Sequence, residues 1–271
     1  TRSVISQDVF DLLERHTLLS DRPVRAELDD GRRVLHLGDH LLVDGMPTAI
    51  RQHRSAYIYE AAPPLSVTLG PPLSDAEARR FLAMCCAVSW RDPDRDGRLL
   101  AGWIVSAMIG GALAWRPHLW LSAEGGDGKT WIEDNIMSPA LGPLALRLQG
   151  KTTEAGVRGA VQHDARPVLF DEAETQSDHD RARMQMVIDL ARQASSEHSA
   201  PIVKGTKEGG SRSFTMRCSF AFASINVGLT QAADESRFAV LSLVPGNPDQ
   251  FRALKQAQAE AFVENLNGRL L

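Results

Sequence analysis

With 271 residues and 43% hydrophobic side chains, the chain is long enough for one large domain, or for a sizeable core with an appendage. Its formal net charge of −4 excludes a chain-wide attraction to nucleic acid, so any such binding has to come from a local basic patch. Three cysteines, two of them adjacent at Cys85-Cys86, form neither a disulfide framework nor a zinc spacing, and read as core residues of a protein in a reducing cytosol.

The chain opens at Thr1 without a methionine or a signal peptide, and we expect it to be an excerpt of a longer polypeptide. Past a short helical stretch near Val9 to Leu19, turn signals at Asp30-Gly31, Gly38-Asp39 and Asp44-Gly45 separate apolar runs, which predicts a β-meander. Residues 1–72 thus read as a small β-rich appendage for packing or assembly. Pro63-Pro64 and Pro71-Pro72 mark the passage to a second region, 73–271. Ser74 caps a helix expected to reach Trp90, with Asp75 and Glu77 in its first turn. Leu99 to Trp115 is a run of seventeen residues without a charge. It sits at the short edge of what crosses a bilayer and carries Gly102, Gly110 and Gly111, so it reads as a buried central helix rather than a membrane span.

The most informative stretch follows, H-L-W-L-S-A-E-G-G-D-G-K-T-W-I from His118 to Ile132. Leu119, Trp120 and Leu121 form a short apolar strand; Glu124, Gly125, Gly126, Asp127 and Gly128 make a glycine-rich loop; Lys129, Thr130 and Trp131 open a helix. Such a loop turns consecutive backbone N–H groups onto phosphates at a helix N-terminus, with the lysine bridging β- and γ-phosphates and the threonine ligating Mg²⁺. Ala123 stands where the first glycine of the pattern is usual. A glycine-rich turn ahead of a surface lysine would look similar, so a second motif is needed.

That motif lies about forty residues on. Trp131 to Met137 continues a helix that Pro139 should stop, Leu144 to Leu148 offers a strand, and Thr152 or Thr153 caps a helix to about His163. Val168, Leu169 and Phe170 then form a buried strand ending in Asp171-Glu172. At the carboxyl end of a parallel strand, Asp171 can support the Mg²⁺ shell and Glu172 can polarise the attacking water; alone, the two acids could equally be a solvated strand end. The extra strand between the motifs, together with Glu172, points to the branch of phosphate-loop ATPases that use a catalytic glutamate. The alternation of β and α signals argues for a three-layer α/β fold.

His179 to Ala194 reads as a helix with Met186, Leu190 and Ala194 on one face, and with Arg181, Arg183 and Arg192 on a solvated or inter-subunit face. Pro201 to Cys218 carries Lys204, Lys207, Arg212 and Arg217 around Gly205, Gly209 and Gly210, a basic hairpin suited to tracking a phosphodiester backbone, or an exposed loop kept soluble by its lysines. Ser219 to Ile225 is another buried strand. Asn226 at its end can hydrogen-bond the attacking water or simply cap the strand. Arg237, before the strand Phe238 to Val244, can reach a neighbouring subunit's γ-phosphate or form a surface salt bridge. An amphipathic helix with Phe251, Leu254, Ala257 and Ala261 inward closes the chain.

Taken in order, W-L-S-A-E-G-G-D-G-K-T, T-E-A-G-V-R, P-V-L-F-D-E, I-V-K-G-T and D-E-S-R-F-A-V-L resemble the AAA+ ATPase core of superfamily 3 type helicases over about residues 99–246. The likeness is greatest to helicase or primase-helicase proteins of phages, prophages and integrative elements. It implies a three-layer P-loop NTPase of the AAA+/ASCE type, with a parallel sheet flanked by helices and the β-rich appendage in front. It further implies ATP and Mg²⁺ as ligands, a ring of identical subunits, usually hexameric, single-stranded DNA in a central channel, and primase or other replication proteins of the element as partners. Carried over, Lys129 and Thr130 bind phosphate and Mg²⁺, Asp171 supports the metal, Glu172 is the base, Asn226 senses, Arg237 acts in trans, and Lys204, Lys207 and Arg212 meet DNA. A regulatory AAA+ module that assembles on DNA or a protein partner without unwinding, or an ATPase acting on a protein, stays open.

Overall fold

The structure is a computed structural model and describes residues 24–25, 32–55, 59, 61–124, 126, 128–162, 164–173, 177–196, 202–205, 211–229 and 231–271. The expected helix near Val9 to Leu19 and the turn at Asp30-Gly31 lie outside the described residues.

The meander is present as four antiparallel strands in chain order, β1 (Val24–Arg25), β2 (Val34–His36), β3 (His40–Val43) and β4 (Met46–Ala49). Its two described turns need left-handed backbone: φ is +95° at Gly38, and +49° and +80° at Asp44 and Gly45. Gly38 is required twice over, because a Cβ there would lie 2.1 Å from the carbonyl oxygen of Pro63. Val34, Leu41, Val43 and Tyr59 make a small core beneath the sheet, while Leu37 and Leu42 join the main core.

Helix α1 (Asp75–Cys86) starts in a reciprocal capping box between Ser74 and Glu77. It ends four residues before the expected Trp90. That tryptophan bridges Leu243 as an isolated β pair, and its indole N–H donates to Cys85 O at 2.8 Å, so the chain is drawn out of the helix. Helix α2 (Asp96–Met108) likewise stops short of Trp115, passing into a 3₁₀ turn at Gly110–Ala112. The buried Arg116 guanidinium collects the freed carbonyls of Gly110 and Leu113 and reaches Ala194 O at 2.6 Å. The run is not buried throughout, since Leu99 and Val105 are exposed. Among the described residues no helix is long and apolar enough to cross a membrane.

The main sheet has five parallel strands. β5 (His118–Ser122), β6 (Leu146–Gln149) and β7 (Val168–Asp171) come first; a hairpin of β8 (Ile202–Gly205) and β9 (Ser211–Phe214) stands apart; β10 (Phe220–Ser224) and β11 (Phe238–Ser242) complete it. The order across the sheet is β11-β5-β10-β7-β6. β6 follows the glycine-rich loop in the chain yet lies at the edge, and β10 separates β5 from β7. Successive side chains on a strand alternate between faces, so Leu119 and Leu121 join the core with α1 and α2, while Trp120, Phe170 and Phe222 join the opposite core. Trp120 stacks on Phe222 with ring centres 5.1 Å apart. Helices α5 (Glu154–Val161), capped by Thr153, and α6 (Asp178–Ala194), capped by Ser177, cover that second face, giving three layers. On α6 the inward positions include Met184, Val187, Ile188 and Ala191; Met186, expected inward, is 51% exposed.

Behind β5 the helix is continuous through Pro139, contrary to expectation. It runs as α3 (Lys129–Ile132), a π-helical stretch Glu133–Met137, and α4 (Ser138–Leu141). The wider π turn lets Ser138 N–H donate to Glu133 O. Asn135 O, which would ordinarily accept from residue 139, accepts from the Gln258 side chain at 2.7 Å because proline has no N–H. After the short α7 (Ala232–Glu235), the closing helix α8 (Pro248–Ala261) begins in a capping box with Asn247 and buries Leu254 and Ala261, leaving Phe251 43% exposed. A further short helix, α9 (Leu266–Leu270), follows it.

Candidate functional site

The glycine-rich loop joins the carboxyl end of β5 to α3. Gly126 and Gly128 have φ of +94° and +95°, a conformation that glycine adopts without a Cβ penalty, and nothing lies within 4 Å of where a Cβ would stand. Ala123 does not close the loop. Its N–H continues the pairing toward Ser224 O at 3.4 Å and its methyl belongs to the core. Lys129 folds back across the loop, its Nζ donating to Ala123 O at 2.6 Å and Glu124 O at 3.3 Å. Among the described residues its partners are neutral carbonyls, which leaves the cation available to an incoming anion. Thr130 is exposed beside it, and Trp131 meets Phe251 edge-on at 5.5 Å. Beside this pair opens a cavity of about 450 Å³, bounded by Gly126, Gly128, Trp131, Val88, Val244 and Phe251. Gly125 and Asp127 lie outside the described residues.

β7 delivers Asp171 and Glu172 to the same end of the sheet, two strand spacings from β5, or about 10 Å. Glu172 N–H donates to Asp171 Oδ1 at 2.8 Å. The φ of Glu172 is +55°, uncommon for any residue with a side chain. Pairing with β10 then resumes one residue late, Ala173 N–H donating to Ala223 O at 2.9 Å where unbroken register would use Glu172, so Glu172 is a one-residue bulge with an exposed side chain.

Next to these acids is a carboxylate that sequence reading overlooked. Glu133, in the π-helical stretch, is 3% exposed. Burial first, and then the charge of Asp171, push its carboxyl up to about 7. Arg147 on β6 opposes this, lying 3.3 Å from Glu133 and 2.7 Å from Asp134. The signal was available: Glu133 sits between the apolar Ile132 and Ile136 on a helix that has to cover the sheet.

Asn226 is exposed at the carboxyl end of β10, between the loop and the acids. The turn that carries it is pinned from β5. Trp120 Nε1 donates to Ser224 Oγ at 2.8 Å, Ser224 Oγ donates to Asn226 O at 2.6 Å, and Ser122 Oγ donates to Ile225 O at 3.1 Å.

Two other predicted groups lie elsewhere. Arg237 precedes β11, whose first residue pairs with His118, the first of β5. It therefore sits at the amino end of the sheet, about 17 Å along the strands from the loop. The hairpin β8–β9 leads directly toward the amino end of β10, with Lys204 opposite Arg212 in its register. Lys207 lies outside the described residues.

Among the described residues no three or more His, Cys, Asp or Glu side chains form a set that could hold a metal alone. A site shared with a ligand is different. Thr130 and Asp171 offer hydroxyl and carboxylate oxygens at one end of the sheet, the hard donors that suit Mg²⁺ when phosphate and water oxygens fill its remaining positions.

No family model and no curated protein sequence matches the chain. Among solved structures it is similar to two apo structures of the NrS-1 C-terminal region. One has 12% identity and a TM-score of 0.44, covering 85% of this chain and 52% of that chain. The other has 10% identity and a TM-score of 0.45, covering 90% and 57%. The chain thus spans little more than half the length of either.

Proposed function

We propose that this chain is an ATP-hydrolysing, ring-forming translocase of the AAA+ superfamily 3 type that moves on single-stranded DNA. One relationship carries the reading: the Gly128-Lys129-Thr130 turn and the Asp171-Glu172 pair stand at the same end of one parallel sheet. The interposed β10 supports assignment to the P-loop branch that uses a catalytic glutamate.

Loop N–H groups would receive the phosphates, and Lys129 would exchange the carbonyls of Ala123 and Glu124 for β- and γ-phosphate oxygens. The cavity beside Trp131 and Phe251 has room for the nucleoside. Thr130 and Asp171 would hold Mg²⁺, which when bound neutralises charge developing on the phosphates. Glu172, turned out of its strand, accepts a proton from the water whose oxygen attacks the γ-phosphorus as the bond to the bridging oxygen breaks. Asn226 orients that water. Arg237, at the far end of its own sheet, serves the site of a neighbouring copy, a role worth roughly 10³ to 10⁵ in rate. Lys204, Lys207 and Arg212 follow the DNA backbone through its phosphates.

The deciding experiment is the ATPase rate with and without single-stranded DNA, read beside the mass of the oligomer. Turnover should vanish in Lys129→Ala and Glu172→Gln, and turnover retained by either refutes the site. The double change Lys204→Ala with Lys207→Ala should spare basal turnover and lose the stimulation by DNA. A strand-displacement assay that stays negative on an active ring would favour the regulatory reading instead.

A further inference from the structure

Arg237 does not stand alone. Its guanidinium carbon lies 5.6 Å from the centre of the Trp115 ring, within the range at which an aromatic face holds a cation. Trp115 is 47% exposed, a large apolar surface left open at the amino end of the sheet. Its backbone bridges Ser196 just past α6, which anchors the ring independently of Arg237. The arginine is fixed from its own side too. Nη1 donates to Ala233 O at 2.6 Å and to Ser236 Oγ at 3.2 Å, and its main-chain oxygen accepts from His118 N–H at 2.8 Å. Its Nε is buried and meets no acceptor among the described residues. An indole orders a guanidinium without neutralising it, which a carboxylate partner would do.

We infer that Trp115 is a positioning residue: it holds the Arg237 guanidinium ordered at the surface, so that a second copy of this chain receives it at its own Lys129–Glu172 end. The inference rests on the trans role given to Arg237 above. A second copy is the fitting occupant on grounds of charge. The receiving end exposes Glu124 and Glu172 and is the end given the nucleotide phosphates, so it would attract a guanidinium; the donating edge presents Arg237 on the Trp115 ring, with Glu235 exposed two residues before it. Tryptophan and arginine are also the side chains on which protein interfaces concentrate their binding energy.

The test uses the full chain and compares Trp115→Leu, which keeps apolar bulk and removes the aromatic face, with Trp115→Phe, Arg237→Ala and Lys129→Ala, alone and in equal mixtures. Trp115→Leu should lower kcat about tenfold with little change in the KM for ATP, and Trp115→Phe should fall between it and the wild type. Mixed with Lys129→Ala copies, which supply an intact Trp115–Arg237 edge, both Arg237→Ala and Trp115→Leu should regain turnover. If Arg237→Ala is not restored by that mixture, the trans role itself is wrong. If Arg237→Ala is restored while Trp115→Leu either keeps wild-type kcat or stays impaired in the mixture, Trp115 does not position the arginine. Should Trp115→Leu fail to fold, the same mixture with Trp115→Phe decides: a loss that is not restored, or no loss at all, overturns the inference.

Discussion

Gly150 and Glu172 are in direct backbone contact: a Cβ built on Gly150 would fall 1.9 Å from the carbonyl oxygen of Glu172. The turn after β6 therefore has to be glycine for the chain after β7 to hold its left-handed residue. Gly150→Ala should displace Glu172 and lower kcat more than tenfold while leaving nucleotide affinity within a few-fold of wild type. It should also cost on the order of 1–3 kcal/mol of stability. Turnover, equilibrium nucleotide binding and denaturant unfolding measured side by side check all three. Glu172→Gly makes the converse case, a gain of about 0.5–1 kcal/mol from relieved backbone strain with turnover lost.

Glu133 predicts a pH dependence. Its carboxyl is raised from 4.5 to about 7 in the folded chain, first by burial and then by the charge of Asp171. The folded state thus holds this proton more tightly than the unfolded state. The stability it contributes is fully present below about pH 4.5 and is lost as the pH rises through 7. Glu133→Gln, which stays neutral, should abolish that loss and make the variant more stable than wild type at pH 8, by on the order of 1–2 kcal/mol. Denaturant midpoints at pH 5 and pH 8 measure it, and equal slopes in the two proteins would remove Glu133 from the account.

Trp120 predicts a link from the core to the site. Trp120→Phe keeps the stack on Phe222 and removes the N–H that holds Ser224, and through it the turn carrying Asn226. Stability should fall by about 1–2 kcal/mol and kcat several-fold, with KM nearly unchanged. An unfolding curve and a steady-state ATPase titration would show whether the two effects arise together.

The parts of the site made from contiguous residues were legible in the sequence. β5, β7 and β10 are buried on both faces and show as plain apolar runs, and the glycine-rich loop and Asp171-Glu172 lie at their ends. What escaped depends on residues far apart in the chain. Helix α1 ends at Cys86 because Trp90 pairs with Leu243, and the helix after the loop survives Pro139 because Gln258, 123 residues from Asn135, supplies the missing donor. The burial of Glu133 and the seating of Arg237 on Trp115 escaped for the same reason. Local pattern names an element; only the packed sheet says where it ends and what it faces.

The strand order also governs when the site can come into being. β5 borders β10 and β11, the last two strands of the sheet to be synthesised, and it has no contact along its edges with β6 or β7. Until roughly the final quarter of the described chain has emerged, the loop strand has no neighbour, and the acids have nothing to register them against it. On the proposed reading, nucleotide binding would then report a finished fold, and a nascent chain cut off before β10 would not bind ATP. With pairings this distant in sequence, assembly of the sheet should be the slow event in the life of the protein.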